Sequence, residues 1–146
     1  MSTSYWMIEG IGLRVLDVKH YINIEKAARF FHAQYPDDSD LAAMIAANDY
    51  SSFDLESFYR SNGFENLADV LCHCDDTDST IFGDDGGGNV YFYYPPSMPW
   101  HRSDTEPQSK EEVIARIIKA VQKITDMSGE EIKAVIDTDL YAVGMG

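Results

Sequence analysis

Cysteine is scarce in this chain: Cys72 and Cys74 are the only two, and one residue separates them. So close a pair cannot form the disulfide framework that holds small secreted domains together. Cations are scarce as well, 11 Lys and Arg against 25 Asp and Glu. Nucleic-acid binding requires clustered cations that neutralise phosphates. The mildly basic groups Arg14/Lys19/Lys26/Arg29 and Arg116/Lys119/Lys123 are interleaved with acids, so direct binding of DNA or RNA is not expected. Long apolar runs are missing too. Leu41 to Asn48 falls far short of the ~20 apolar residues that span a bilayer. The opening Met1-Ser-Thr-Ser-Tyr-Trp lacks the basic region and apolar core of a signal peptide. A reducing cytoplasm, with no membrane partner, is the expected setting.

What is present is enough to fold. The chain has 146 residues, 45% of them hydrophobic and 12% aromatic, which is the composition of a packed domain rather than a disordered segment. Residues 1–146 are expected to form a single acidic domain, since domains of this size bury a core without a staple. The net charge of −14 is unevenly placed. Residues 1–36 hold three acids and four bases, a net of +1. Residues 37–85 hold thirteen acids and one base, a net of −12. Residues 86–146 hold nine acids and six bases, a net of −3. A field concentrated in one region steers a basic partner, whereas evenly spread charge mainly keeps a protein soluble.

The pattern of apolar residues predicts an α+β fold. Tyr5 to Val15 alternates as a strand, and Gly10 and Gly12 mark a bulge or a close backbone approach. Asn23 caps a helix that runs to about Tyr35, with Ile24, Ala27, Ala28, Phe31 and Tyr35 as its buried stripe. The acidic middle predicts short helices: Asp40 to Ala47 capped by Ser39, Phe53 to Ser61 capped by Ser52, and about Glu65 to Cys72. Thr80–Gly83 and Asn89–Tyr94 flank a glycine-rich turn as a hairpin. Ser109 and Ser128 each open a helix with a capping box, and Leu140, Tyr141 and Val143 lie on a last strand. The expected architecture is a small, mostly antiparallel sheet of about four strands. Several short helices and one longer C-terminal helix cover it.

Three stretches suggest chemistry at first sight. Cys72-His73-Cys74, followed by aspartates, offers thiolate, imidazole and carboxylate ligands for zinc or another divalent metal. Structural zinc sites draw on two ligand pairs, so His20, His32 or His101 would have to complete this one across the fold. As a nucleophile either thiol is poorly placed, because the neighbouring aspartates and a helix C-terminus both oppose its ionisation. Asp76-Thr-Asp78-Ser-Thr80 has the Asp-x-Asp-x-Thr spacing of haloacid dehalogenase-like phosphotransferases. No apolar strand precedes it, however, and sixteen aspartates make such spacings common by chance. Asp84-Asp-Gly-Gly-Gly-Asn89 leads into a strand rather than a helix, unlike a phosphate loop, and lacks the EF-hand spacing. No catalytic residue is assigned, no cofactor is required, and a non-enzymatic role is expected.

Two surfaces remain. Tyr91, Tyr93, Met98 and Trp100 form an aromatic strand and loop of the kind that anchors interfaces, including contacts between copies of the chain, unless Phe92 and half the tyrosines face the core and Trp100 pins the loop, as most aromatic stripes on strands do. Asp37, Asp38, Asp40, Asp54, Glu56, Asp69, Asp75, Asp76, Asp78, Asp84 and Asp85 supply a candidate acidic face. The leading expectation is a protein–protein interaction module that docks this face on a partner's basic surface. In its sharper form it is an inhibitor that imitates nucleic-acid charge and blocks the groove of a nucleic-acid-binding enzyme. In composition, though not by any shared motif, the chain is similar to the acidic anti-restriction and anti-CRISPR proteins of phages and mobile elements. The alternatives are a metal-binding protein or metal-dependent enzyme centred on Cys72, His73 and Cys74, and a self-assembling housekeeping subunit.

Overall fold

A computed structural model describes residues 5–95 and 109–145. Its elements follow the order β1 (Tyr5–Arg14), two 3-10 turns (Val15–Asp17 and Lys19–Tyr21), α1 (Ile24–Gln34), α2 (Ser39–Ala47), α3 (Leu55–Ser61), α4 (Leu67–Cys74), β2 (Ile81–Asp84), β3 (Val90–Tyr94), α5 (Lys110–Gln122), α6 (Gly129–Val135) and β4 (Asp137–Met145). The four strands form one sheet in the order β2-β3-β1-β4, with every neighbouring pair antiparallel. The chain therefore has the α+β architecture that its apolar pattern predicts.

Local chemistry sets most boundaries. Asn23 accepts the Lys26 N–H at 3.0 Å and starts α1. Ser128 and Glu131 complete a reciprocal capping box at α6, and Ser109 accepts the Glu112 N–H at α5. In α2 and α3 the caps are Asp38 and Asp54 rather than Ser39 and Ser52. Asp38 accepts the Leu41 N–H at 3.0 Å, and Asp54 accepts the Ser57 N–H at 3.1 Å. Ser39 thus becomes the first helical residue of α2, and α3 starts two residues beyond Phe53. A carboxylate at this position also meets the positive end of the helix dipole, which a hydroxyl does not exploit.

The strand period divides the sheet into two faces. Ile11, Leu13, Phe92 and Tyr94 face the helices and join Phe31, Leu71, Ile117, Val121 and Ile132 in the main core. Ile24, expected in the α1 stripe, is 37% exposed instead. Tyr91 and Tyr93 face the other way, into a second cluster with Ile8 and Leu140. Ile8 comes within 3.2 Å of the position a Cβ would occupy at Gly83. Yet the register places Gly83 level with Tyr91 and Arg14, six positions further along β1. At ~3.3 Å per residue that is roughly 20 Å in a straight strand. β1 must therefore fold back over the sheet.

Gly10 and Gly12 make the bend. Gly10 has φ +145, and a Cβ on Gly12 would sit 2.3 Å from the Phe92 carbonyl oxygen. The register shifts at the same place, so that two steps on β1, Gly10 to Gly12, face three on β4, Leu140 to Asp137. The outer half of the β1–β4 ribbon thus lies across Tyr91 and Tyr93 and buries them to 8% and 3% exposure. Its outward side carries Met7, Tyr141 and Val143, all substantially exposed.

Candidate functional site

The structure distributes the acidic residues over three places and uses them differently. The first is the α4–β2 loop. Asp75 is buried there, with 7% of its surface exposed. Its carboxylate accepts bonds from the Thr77 N–H and hydroxyl (3.1 and 2.7 Å), the Ser79 N–H (3.1 Å) and the Thr80 hydroxyl (2.8 Å). Burial opposes ionisation at Asp75, but these donors outweigh it and hold the carboxyl below the usual range. The expectation that Asp75 belongs to an exposed acidic face is therefore corrected: its oxygens are spent on folding the loop. Asp76 is exposed but pairs with Lys123, just past the end of α5, and with Lys119 on α5, and the two hold its carboxyl low. Asp78 takes up a left-handed conformation, φ +51, in the tight turn that follows. Nearby, Asp69 caps inward, accepting the Glu65 N–H at 3.0 Å, and its side chain stays mostly covered.

The second place is the β2–β3 turn. Asp84 accepts the Gly86 N–H at 2.6 Å, and Asp85 accepts from the Gly87 N–H (2.7 Å) and from Asn89. The Gly87 and Asn89 donors hold the Asp85 carboxyl low. These aspartates shape a hairpin turn, in which Gly86 and Gly88 supply positive φ angles.

The third place is the pair α2 and α3. Between Arg29 and Arg60 the sequence has no Lys or Arg, and in that interval lie Asp37, Asp38, Asp40, Asp49, Asp54 and Glu56. Glu56 pairs with Arg60 across one helical turn. Asp38, Asp40 and Asp54 line one cavity of about 390 Å³ between the two helices. Among the described residues none of the three forms an ion pair. The cavity wall at Ser52, Phe53 and Asp54 is shared with a larger cavity of about 730 Å³, to which Lys19, Glu56 and Asn66 contribute. Phe58 packs on Phe31 at 4.9 Å and on Phe53 at 5.6 Å between ring centroids, so core contacts fix the wall behind the carboxylates.

Cys72, His73 and Cys74 do not converge. Successive residues of a helix point about 100° apart. Cys74 is buried in the core, and His73 points outward, donating from Nδ1 to the Asp69 carbonyl at 3.0 Å and packing its ring on Phe64. Among the described residues no three His, Cys, Asp or Glu side chains are placed to share a cation. Burial pushes both thiols up to about 12. Asp69 adds to the shift at Cys72, while Lys123 opposes it at Cys74. Neither thiol is a ready nucleophile. Tyr91 and Tyr93, expected to anchor a partner, lie under the folded ribbon instead, and Met98 and Trp100 lie outside the described residues. No described helix is long and apolar enough to cross a membrane.

Sequence reasoning found the carboxylates of α2 and α3 but missed the apolar wall beside them. The signal lies in Leu41, Met44 and Phe58, whose helical spacing puts apolar groups next to Asp38 and Asp54. Comparison of the chain with protein-family models, with curated proteins and with solved structures finds no match.

Proposed function

We propose that this chain is a protein–protein interaction module that docks the acidic surface of α2 and α3 on a basic surface of its partner. The observation that carries this reading is the gathering of uncompensated carboxylates around one groove. Asp17, Glu25, Glu56, Asp76 and Asp126 each have a cation within ion-pair distance. Asp38, Asp40 and Asp54 have none among the described residues, and they stand in an interval free of Lys and Arg. Carboxylates gathered on one surface without a counter-charge set up a field that steers a partner's cations toward them. In its sharper form the partner's basic surface is one that otherwise holds nucleic acid, and the module acts by competing for it. Duplex DNA presents about one charge per 1.7 Å of axis, so such a competitor requires fixed carboxylates rather than a mobile acidic tail. Helix caps fix Asp38 and Asp54 in this way.

The test is retention of basic proteins from nuclease-treated lysate at low salt, eluted by salt steps. The variant Asp38→Asn/Asp40→Asn/Asp54→Asn removes three charges and keeps the caps, because asparagine caps a helix as well as aspartate. A control, Glu111→Gln/Asp137→Asn/Asp139→Asn, removes three charges elsewhere. Retention lost only in the first variant supports the reading. Equal loss in both reduces the acidity to bulk charge and overturns it.

A further inference from the structure

The groove between α2 and α3 joins two chemistries that a merely solvated acidic surface does not combine. Met44, Phe53 and Phe58 give it an apolar wall, and Asp38, Asp40 and Asp54 give it carboxylates. Asp38 and Asp54 each commit one oxygen, Oδ1, to a helix cap, which leaves the other without a protein partner among the described residues. The wall does not collapse into the space, because Phe58 is held by ring contacts to Phe31, Tyr35 and Phe53. The volume, about 390 Å³, suits part of a side chain and its neighbours rather than a whole folded element.

These features narrow the occupant. An anion would meet three carboxylates. A neutral apolar group would cover the carboxylates and leave them without water or a counter-charge, a cost that apolar contact does not offset. A metal ion needs several ligands converging on one point, and no such group exists among the described residues. A long cationic side chain satisfies both halves at once, its methylene stem lying on the apolar wall while its head reaches the carboxylates. Arginine suits the site better than lysine, because its planar head bonds carboxylates in pairs and stacks on aromatic rings such as Phe53.

We propose that the α2–α3 groove receives an arginine side chain inserted from a basic segment of the partner. This rests on the interaction reading above and adds to it a recognition pocket. The site selects for stem length and a planar cationic head, not for positive charge alone.

The experiment follows backbone amide signals of the full chain during titration with a blocked peptide that carries one arginine between glycine and serine residues. Matched peptides carry citrulline, which keeps the shape and loses the charge, or ornithine, which shortens the reach. The expected result is a saturable shift confined to Met44, Phe53, Ser57 and Phe58 with the arginine peptide. It should weaken at least tenfold in Asp38→Asn/Asp40→Asn/Asp54→Asn. The citrulline peptide should give no response and the ornithine peptide a weaker one. Equal responses to arginine and citrulline, shifts scattered over the surface, or shifts centred on another element would each overturn the proposal. If the peptide finds no groove while basic-protein retention still depends on these three acids, the pocket fails and the interaction module stands. If retention fails as well, both fall.

Discussion

Two acidic segments of this molecule, similar in sequence, do opposite work. Asp75, Asp76 and Asp78 follow α4 in one dense run, and Asp37, Asp38 and Asp40 stand at the start of α2 in another. In the first run the charge is consumed. Asp75 is enclosed by hydroxyl and amide donors, and Asp76 is flanked by two lysines. In the second it is presented, with Asp38 and Asp40 facing a groove that they share with Asp54. Formal charge therefore says little about the field a partner meets. What decides it is whether donors and cations lie within reach, and that is a property of the fold.

The largest expected effect breaks the comparison at its structural end. Asp75→Ala removes the acceptor of one buried and several part-buried donors and should cost about 3 kcal/mol, read by urea denaturation, since stranding such donors of a charged hydrogen bond carries penalties of this order. Asp40→Ala, by contrast, should stay within about 0.5 kcal/mol of the parent. Equal effects would mean that the two segments do not differ as described.

The second test is pH. The folded Asp75 carboxyl lies below its ordinary value, so its contribution is fully present above pH ~4 and is lost as the pH falls through the folded-state value. The stability gap between the parent and Asp75→Asn should then narrow steadily on acidification below pH ~4. A gap that stays constant down to pH ~2 would remove the carboxylate from the explanation.

A smaller effect separates cap from charge. Asp38→Ala should cost about 1 kcal/mol while Asp38→Asn costs little, because only the alanine loses the cap. If both lose stability equally, the carboxylate holds α2 by charge and not by its hydrogen bond to Leu41. The smallest effect sharpens the presented end. Lys119→Gln/Lys123→Gln frees Asp76 and should leave stability unchanged, since exposed pairs contribute little. It should also leave arginine-peptide binding at α2–α3 unchanged. A marked gain in binding would show that any exposed aspartate serves.

Much of this was legible from the residues. Asn23, Ser109 and Ser128 announce helices because a cap needs only a side chain and an amide three residues on. The hairpin and the strand period are equally local. The caps of α2 and α3 were ambiguous, because Asp38 and Ser39 stand side by side and either can bond the next turn. The burial of Asp75 was marked by the hydroxyls at Thr77, Ser79 and Thr80, a spacing typical of side chains that bond their own backbone. The burial of Tyr91 and Tyr93 had no local sign. It depends on Ile8 and Leu140, which are distant in sequence and reach the same face only after β1 bends. The apolar wall of the groove stayed hidden for the same reason, since it joins α2 to a residue before α3 and to a ring on α3 itself.

The bend at Gly10 and Gly12 also dictates an order of events. β1 pairs with β4 from Tyr5↔Met145 inward, so this strand finds its longest partner in one that follows all the other described elements. Closing so long a loop is slow, and the contacts that compensate for it form only when it is closed. Until β4 arrives, the side of β3 that carries Tyr91 and Tyr93 lacks Leu140 as its cover. A chain emerging residue by residue therefore leaves this aromatic surface without its β4 cover until β4 itself has been made, and that is the interval in which it is most exposed to self-association or to capture by a chaperone.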